Sequence, residues 1–329
     1  TCTGKIPSGR GRVSEATGSD GPPSVVGPGS AAGDNARRAR LQVSLDSMAG
    51  AFTEIAPRVL RSAGYAVASL VDRIDPDFTR GAPNPANDRN LALLAKHVRD
   101  HASAVGVALD GDGDRVIFVD GRGRIARPEQ IAVLLIRHLF SQPLVVYDLK
   151  CASIVGQAAR DAGGRALMQP SGHGFIKSTI IQQDADLGVE VSGHHFYGSL
   201  GGGDDGLFTA LVLLELIVRT GKSLAHLLDE VPWPCITPDV RVPFRGESQA
   251  LLEQIATACG GRVSRLDGVR AEYDEGWALA RMSITEPAIT FRFEGHDKIA
   301  LRAIVERFLK SVPELKEAVL ERIEQTGSL

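Results

Sequence analysis

Residues 105–119 read Val-Gly-Val-Ala-Leu-Asp-Gly-Asp-Gly-Asp-Arg-Val-Ile-Phe-Val, and this stretch decides how the chain reads. Two short apolar runs rich in β-formers flank residues 110–115, which predicts two strands joined by a tight loop. The loop carries Asp110, Asp112 and Asp114. Carboxylates this close repel one another unless a cation neutralises them. The alternating glycines remove side-chain bulk and let the backbone wrap an ion. An acidic hairpin turn would account for one Asp-Gly pair, not three aspartates in register. An EF-hand loop needs Gly at its sixth position and Glu at its twelfth. Counted from Asp110, those positions hold Arg115 and Gly121. The reading that fits is a divalent metal site serving phosphate chemistry, with Mg²⁺ on the three aspartates. A phosphatase with Asp110 as nucleophile is a variant of it, although that class usually carries Thr or Val where Gly113 stands.

Outward from this loop, the pattern is layered. Residues 41–45 predict a strand. Phe52, Ile55, Ala56, Val59 and Leu60 then follow helical spacing up to Gly64, and residues 65–70 predict a second strand. Residues 75–87 form a Pro- and Asn-rich loop. Leu91, Leu94, Ala95 and Val98 mark a helix leading into the strand before the aspartates. Such alternation predicts an α/β domain with the aspartates at a strand's carboxyl end, where these sheets place ligands. A second unit of the same kind follows, with helices at 128–140, 152–162, 175–181 and 207–218 and strands at 144–147, 166–168 and 187–191. After Pro232-Trp233-Pro234 the style changes. Strands at 236–242, 269–273, 277–282 and 289–293, a helix at 249–259 and a long helix from Lys298 onward predict an α+β domain. Residues 1–40 are rich in Gly, Pro, Ser and Arg and lack apolar periodicity, which reads as an irregular arm.

Composition narrows the function classes. The chain has 329 residues, 43% of them hydrophobic, and a net charge of −3. That supports several cores and argues against wholesale nucleic-acid binding. No apolar run approaches the roughly 18 residues of a membrane span, and no signal-peptide pattern opens the sequence. Cys2, Cys151, Cys235 and Cys259 lack metal-type spacing, so a reduced cytoplasmic setting is the simplest reading.

Three further clusters carry chemistry. Glu190, Ser192 and His194 alternate in what reads as extended chain and so share one face, which suits a polyol ligand or a solvated strand end equally. Asp204-Asp205-Gly206, just downstream, reads as a helix N-cap rather than a second metal site. His173 and Lys177 stand four apart across a helix start, which suits a phosphate or an exposed basic turn. Arg281, Ser283 and Thr285, closed by Pro287, have the chemistry of a phosphate cradle, unless the arginine pairs with a local acid.

Taken together and in this order, the clusters resemble the α-D-phosphohexomutase superfamily. Within it, the sequence is most similar to the bacterial phosphomannomutase/phosphoglucomutase branch, from about Leu41 onward. Residues 110–115 resemble the family's metal loop, residues 190–194 its sugar-recognition loop, His173 and Lys177 its Gly-His-x-x-x-Lys segment, and residues 281–285 its phosphate loop. Residues 148–151 and 266–269 resemble further family segments. The resemblance implies an α/β fold of several domains: an arm at 1–40 standing for the first domain, a metal-binding α/β unit at 41–140, a related sugar-recognition unit at 141–232, and a TBP-like α+β phosphate-binding domain at 233–329. It implies an Mg²⁺-dependent isomerase, cytoplasmic, that moves phosphate between the 1- and 6-positions of mannose or glucose through a hexose bisphosphate and a phosphoserine. Thr17-Gly18-Ser19-Asp20-Gly21-Pro22-Pro23 resembles the serine loop, with Asp20 and Gly21 replacing His and Asn, and Ser19 would be the phosphoserine. Arg115 and His194 would join Ser19 in catalysis. His173, Lys177, Glu190, Ser192, Arg281, Ser283 and Thr285 would bind substrate. Ile284 stands where the branch usually has a polar residue. A degenerate relative that binds phosphosugar and Mg²⁺ without isomerising it is the alternative, and a separate chain could supply the first domain.

Overall fold

A computed structural model of the chain describes residues 31–283 and 287–328. The first unit comprises helix α1 (Ala31–Arg40), β1 (Gln42–Asp46), α2 (Ile55–Ser62), β2 (Ala66–Ser69), α3 (Ala92–Asp100), β3 (Val105–Leu109), β4 (Val116–Asp120) and β5 (Ile125–Ala126). The second comprises α4 (Pro128–Leu139), β6 (Leu144–Asp148), α5 (Ile154–Asp161), β7 (Arg165–Gln169), α6 (His173–Gln183), β8 (Leu187–Val189), β9 (His195–Tyr197), β10 (Gly203–Asp204), α7 (Gly206–Thr220) and α8 (Leu224–Asp229). The first sheet runs β2-β1-β3-β4-β5 and the second runs β7-β6-β8-β9-β10. In each, three strands are parallel and two antiparallel strands follow. The two units therefore share one topology. The β3–β4 loop with its aspartates and the β8–β9 loop with Glu190 and His194 occupy the same place in it.

Strands β3 and β4 are buried along their whole length. One face packs on Leu91, Leu94 and Val98 around α3. The other joins a large core shared with Leu207, Ala210, Leu213 and Leu214 of α7. Burial on both faces is why these strands read as continuous apolar runs. Helix α7 of the second unit thus covers the first sheet and ties the two units together.

The third domain comprises β11 (Cys235–Ile236), β12 (Val240–Pro243), α9 (Ser248–Ala258), β13 (Arg262–Ser264), β14 (Val269–Tyr273), β15 (Gly276–Met282), β16 (Ala288–Gly295), α10 (Lys298–Phe308) and α11 (Pro313–Gln325). Its sheet is antiparallel throughout. Trp277 and Leu279 pack on Leu149 of the second unit. Glu294 accepts the backbone N–H of Ser153 at 2.9 Å and also its hydroxyl. Arg270 donates to the Leu149 carbonyl.

Four expectations need correction. The arm is not irregular up to residue 40, because α1 docks on α7. Arg38 reaches Glu215 at 2.8 Å and Arg37 donates to the Val218 carbonyl at 3.2 Å. Polar docking leaves no apolar stripe to read. Helix α4 packs on α5 and β8, so it belongs with the second unit and a division at 140 cuts too late. The single strand expected at 236–242 is two strands separated at Pro238, whose missing N–H cannot join a ladder. The long helix from Lys298 is two, because Pro313 starts a new one. Among the described residues, no helix is long and apolar enough to cross a membrane.

Candidate active site

Asp110 organises the β3–β4 loop from inside. Its side chain is fully buried. One oxygen accepts the N–H groups of Gly113 at 3.0 Å and Arg115 at 3.1 Å, and the other accepts Arg115 Nε at 2.5 Å. Gly113 has φ +83°, and a Cβ there would lie 2.2 Å from the Phe52 ring, so only glycine fits. The turn after β1 lies directly alongside, with Ala51 N–H donating to the Gly111 carbonyl at 2.8 Å. Asp112 is exposed, while Asp114 Oδ1 is buried with no hydrogen-bond partner among the described residues. Each aspartate offers an oxygen within 4.8 Å of the other two. Three hard donors, one of them orphaned, fit a cation such as Mg²⁺.

The second loop does not run extended as expected. Strand β8 ends at Val189, and residues 190–193 turn, with Gly193 N–H on the Glu190 carbonyl at 3.2 Å. The turn brings the three side chains closer than strand alternation would. Glu190 lies 2.9 Å from His194 Nδ1, and Ser192 Oγ lies 2.8 Å from the same nitrogen. Burial pushes Glu190 up, but the hydrogen bond and charge of His194, the Gly172 N–H and Lys150 outweigh it and hold the carboxyl below its ordinary value. Burial pushes His194 down. Its bond to Glu190 and the charges of Glu190, Asp114 and Asp204 outweigh that and raise it.

The two loops meet. Val116 N–H donates to the Gly193 carbonyl at 3.1 Å, Arg115 and His194 form an isolated antiparallel bridge, and Gly206 N–H donates to the Gly113 carbonyl at 2.9 Å. His194 Nε2 lies 3.3 Å from Asp114 Oδ1, a charge contact rather than a directed hydrogen bond. His173 opens α6, and its Nε2 lies 3.0 Å from Asp204 Oδ1. Lys177, half-buried one turn further on, has no hydrogen bond or ion pair among the described residues. The expected N-cap at Asp204-Asp205 divides into two jobs. Asp205 caps α7 by accepting Phe208 N–H at 2.9 Å, and Asp204 faces the histidines.

The remaining cluster stands apart. Arg281 pairs with Asp267 at 3.1 Å, and Ser283 N–H donates to the Ala288 carbonyl at the β15–β16 turn. Neither forms a hydrogen bond or ion pair with the first two loops among the described residues. Arg281 Nε is buried and unpartnered. Ser19, Ile284 and Thr285 lie outside the described residues. Sequence reasoning assigned Asp204 to the helix cap and missed Asn84. Asn84 Oδ1 lies 3.4 Å from Arg115 Nη1, and the Pro- and Asn-rich loop at 75–87 was its only signal.

Comparison with known proteins identifies the domains that carry these loops. Residues 30–123 match the profile for "Phosphoglucomutase/phosphomannomutase, alpha/beta/alpha domain II", residues 127–234 that for "alpha/beta/alpha domain III", and residues 240–311 that for the "C-terminal domain" of the same family. A phosphomannomutase/phosphoglucomutase of Pseudomonas putida is 32% identical over 296 residues, which are 86% of this chain and 64% of that protein. One from Pseudomonas aeruginosa is 31% identical over 272 residues, 80% of this chain and 59% of that protein. A crystal structure of a phosphoglucomutase/phosphomannomutase family protein from Burkholderia thailandensis superposes with TM-score 0.77 at 30% identity, covering 86% of this chain and 63% of that one. The chain thus spans about three fifths of the length of the relatives it matches. Three consecutive profiles and a shared fold agree: this chain belongs to the phosphoglucomutase/phosphomannomutase family, with its domains II, III and IV.

Proposed function

We propose that this chain binds a phosphorylated hexose together with Mg²⁺ and acts in phosphoryl transfer between the 1- and 6-positions of mannose or glucose, as a cytoplasmic phosphohexomutase. The observation that carries the reading is the meeting of the two equivalent loops, which sets Asp114 of the aspartate triad 3.3 Å from a histidine held by Glu190. Phosphomannomutase/phosphoglucomutase relatives at 31–32% identity support it.

Asp110, Asp112 and Asp114 would hold Mg²⁺, which when bound neutralises charge on the transferred phosphoryl group. Arg115, whose Nε is fixed by Asp110, would turn its remaining guanidinium N–H groups toward that group. Glu190 and Ser192 would take sugar hydroxyls, and His194 would hold a proton beside them. His173 and Lys177, at the start of α6, would favour a phosphate. Arg281, Ser283 and Thr285 would grip the distal phosphate, and Ser19 would be the phosphoryl carrier. A hexose bisphosphate would be the species that reorients between the two transfers.

The test is direct. The purified chain is given glucose 1-phosphate or mannose 1-phosphate, Mg²⁺ and a trace of glucose 1,6-bisphosphate, and the 6-phosphate is expected. Turnover undiminished in Ser19→Ala removes Ser19 as carrier. Inorganic phosphate without isomer replaces the proposal with a phosphosugar-binding relative. Isomer formed only when a second chain is added assigns the carrier to that chain.

A further inference from the structure

The mouth of the two loops contains a second group of donors that is not the aspartate triad. His194, Asp114 and Asp204 each offer one atom within 4.8 Å of the other two. Two carboxylate oxygens face the same imidazole nitrogen, Asp114 Oδ1 at 3.3 Å and Asp204 Oδ2 at 3.8 Å from Nε2. Both oxygens are buried and have no hydrogen bond among the described residues. The Asp204 side chain is only 7% exposed. Two orphaned oxygens converging on one nitrogen require a cation between them, either a proton or a metal ion.

Three features favour the metal. A tetrahedral ion with bonds of roughly 2.0–2.1 Å holds its donors about 3.4 Å apart, which the observed separations approach. Glu190 stands 2.9 Å from Nδ1 and occupies that nitrogen, so Nε2 is the one that faces the two aspartates and would exchange its proton for the ion. Metal-bound histidines are oriented by a carboxylate in just this way. Asp204 is itself steered by His173 Nε2 on its other oxygen at 3.0 Å. One imidazole with two carboxylates is a borderline donor set, suited to Zn²⁺ and poorly suited to Mg²⁺.

We propose that His194, Asp114 and Asp204 form a zinc-type transition-metal site, distinct from the triad but sharing Asp114 with it. No bond to carbon or phosphorus changes. The ion takes the place of a proton at Nε2 and leaves one coordination position for water. Its occupation withdraws His194 and Asp114 from the phosphoryl-transfer role proposed above, so Zn²⁺ would silence that activity. This consequence rests on that role, whereas the site itself does not.

The test therefore reads binding rather than turnover. The 329-residue chain is titrated calorimetrically with Zn²⁺ in excess Mg²⁺, and with Co²⁺ followed by visible absorption. One Zn²⁺ per chain and a tetrahedral Co²⁺ spectrum without a thiolate charge-transfer band are expected. Asp204→Asn should weaken Zn²⁺ by more than about 100-fold, beyond what loss of an outer-sphere partner costs. Asp112→Asn should weaken Zn²⁺ by no more than about tenfold, since Asp112 is a ligand of the triad alone and acts on this ion only as a neighbouring charge. If Asp204→Asn does not fold, His194→Gln carries the same expectation. Zn²⁺ lost in Asp112→Asn but kept in Asp204→Asn would place the ion in the triad. A thiolate band would place it on cysteine, and no Zn²⁺ binding would leave His194 with a proton only. Each of these three results overturns the proposal.

Discussion

Replacing Gly206 with alanine isolates the joint between the two loops. Gly206 is buried at the first turn of α7, and its N–H holds the Gly113 carbonyl at 2.9 Å. Its backbone is not in the left-handed region, so space alone decides the outcome. A Cβ would stand 2.8 Å from the Gly113 carbonyl oxygen, 2.9 Å from that of Arg115 and 2.9 Å from Leu109 Cδ2. Two of these three neighbours are backbone of the aspartate loop and cannot rotate away. Relief requires the loop and the helix start to part by about 0.5 Å, and forced backbone shifts of that kind cost roughly 1–3 kcal/mol. The opposing gain, exchanging glycine for alanine in a helix, is at most about 1 kcal/mol and smaller at a helix's first residue. The clash wins, with a net loss of about 1–2 kcal/mol. Displacing the loop also spreads the carboxylates, so Mn²⁺, used as a paramagnetic stand-in for Mg²⁺, should bind several-fold more weakly. Urea unfolding and electron paramagnetic resonance titration measure the two effects. Gly174→Ala is the control: a Cβ there meets nothing within 4 Å in α6, and the variant should be as stable as the parent or slightly more so. Gly206→Ala with parental stability and Mn²⁺ affinity would refute the claim that this contact sets the spacing of the loops.

Asp110 and Asp112 should separate folding from metal binding. Asp110→Ala strands two N–H groups and a guanidinium, costing about 2–4 kcal/mol in urea unfolding, whereas Asp112→Asn should leave the unfolding midpoint unmoved. Both should weaken Mn²⁺, and equal destabilisation would contradict the assigned roles. His195 is fully buried between the Gly193 and Pro128 carbonyls, and burial pushes it down to about 4. Only the unfolded chain then takes up a proton between pH 6.5 and 4, so this stabilisation is full above pH 6.5 and is lost as pH falls. The loss amounts to about 2 kcal/mol by pH 5. His195→Gln should flatten that limb in urea titrations at pH 7 and pH 5, and an unchanged slope would exclude His195 as its source. Arg38→Ala should cost at most about 1 kcal/mol, because both partners of its ion pair are partly solvated. Hydrogen exchange should nevertheless show α1 opening, and unchanged protection there would mean that other contacts dock the helix.

Strands β3 and β4 and the loop between them were legible because their signals are local. Apolar runs of five residues and repeated Asp-Gly depend on nothing distant. Helices α4 and α7 were legible for the same reason. Some errors arose where partners are remote, and others where apolar spacing runs on through a proline. Helix α1 carries arginines that find Glu215 and the Val218 carbonyl far along the chain. The break at Pro313 sits inside a pattern whose polarity alone reads as continuous helix. Asp204 and Asp205 are chemically identical neighbours, and nothing short of their geometry could assign the cap to one and the histidines to the other.

By itself, the sequence determined the βα alternation, the carboxylate-rich loop and the order of the functional clusters, because spacing and residue type need only local backbone geometry. Tertiary structure alone decided that the two loops are topological counterparts, that they meet through Gly193 and Gly206, and that Asp114 is shared between two donor groups. It also kept the Arg281 pair with Asp267, out of hydrogen-bonding reach of both loops. The physical reason is that these facts depend on which carbonyl or carboxylate comes within about 3 Å of a given donor. For the two loops, the packing of α7 across both units sets those separations, and their two ends lie far apart in sequence.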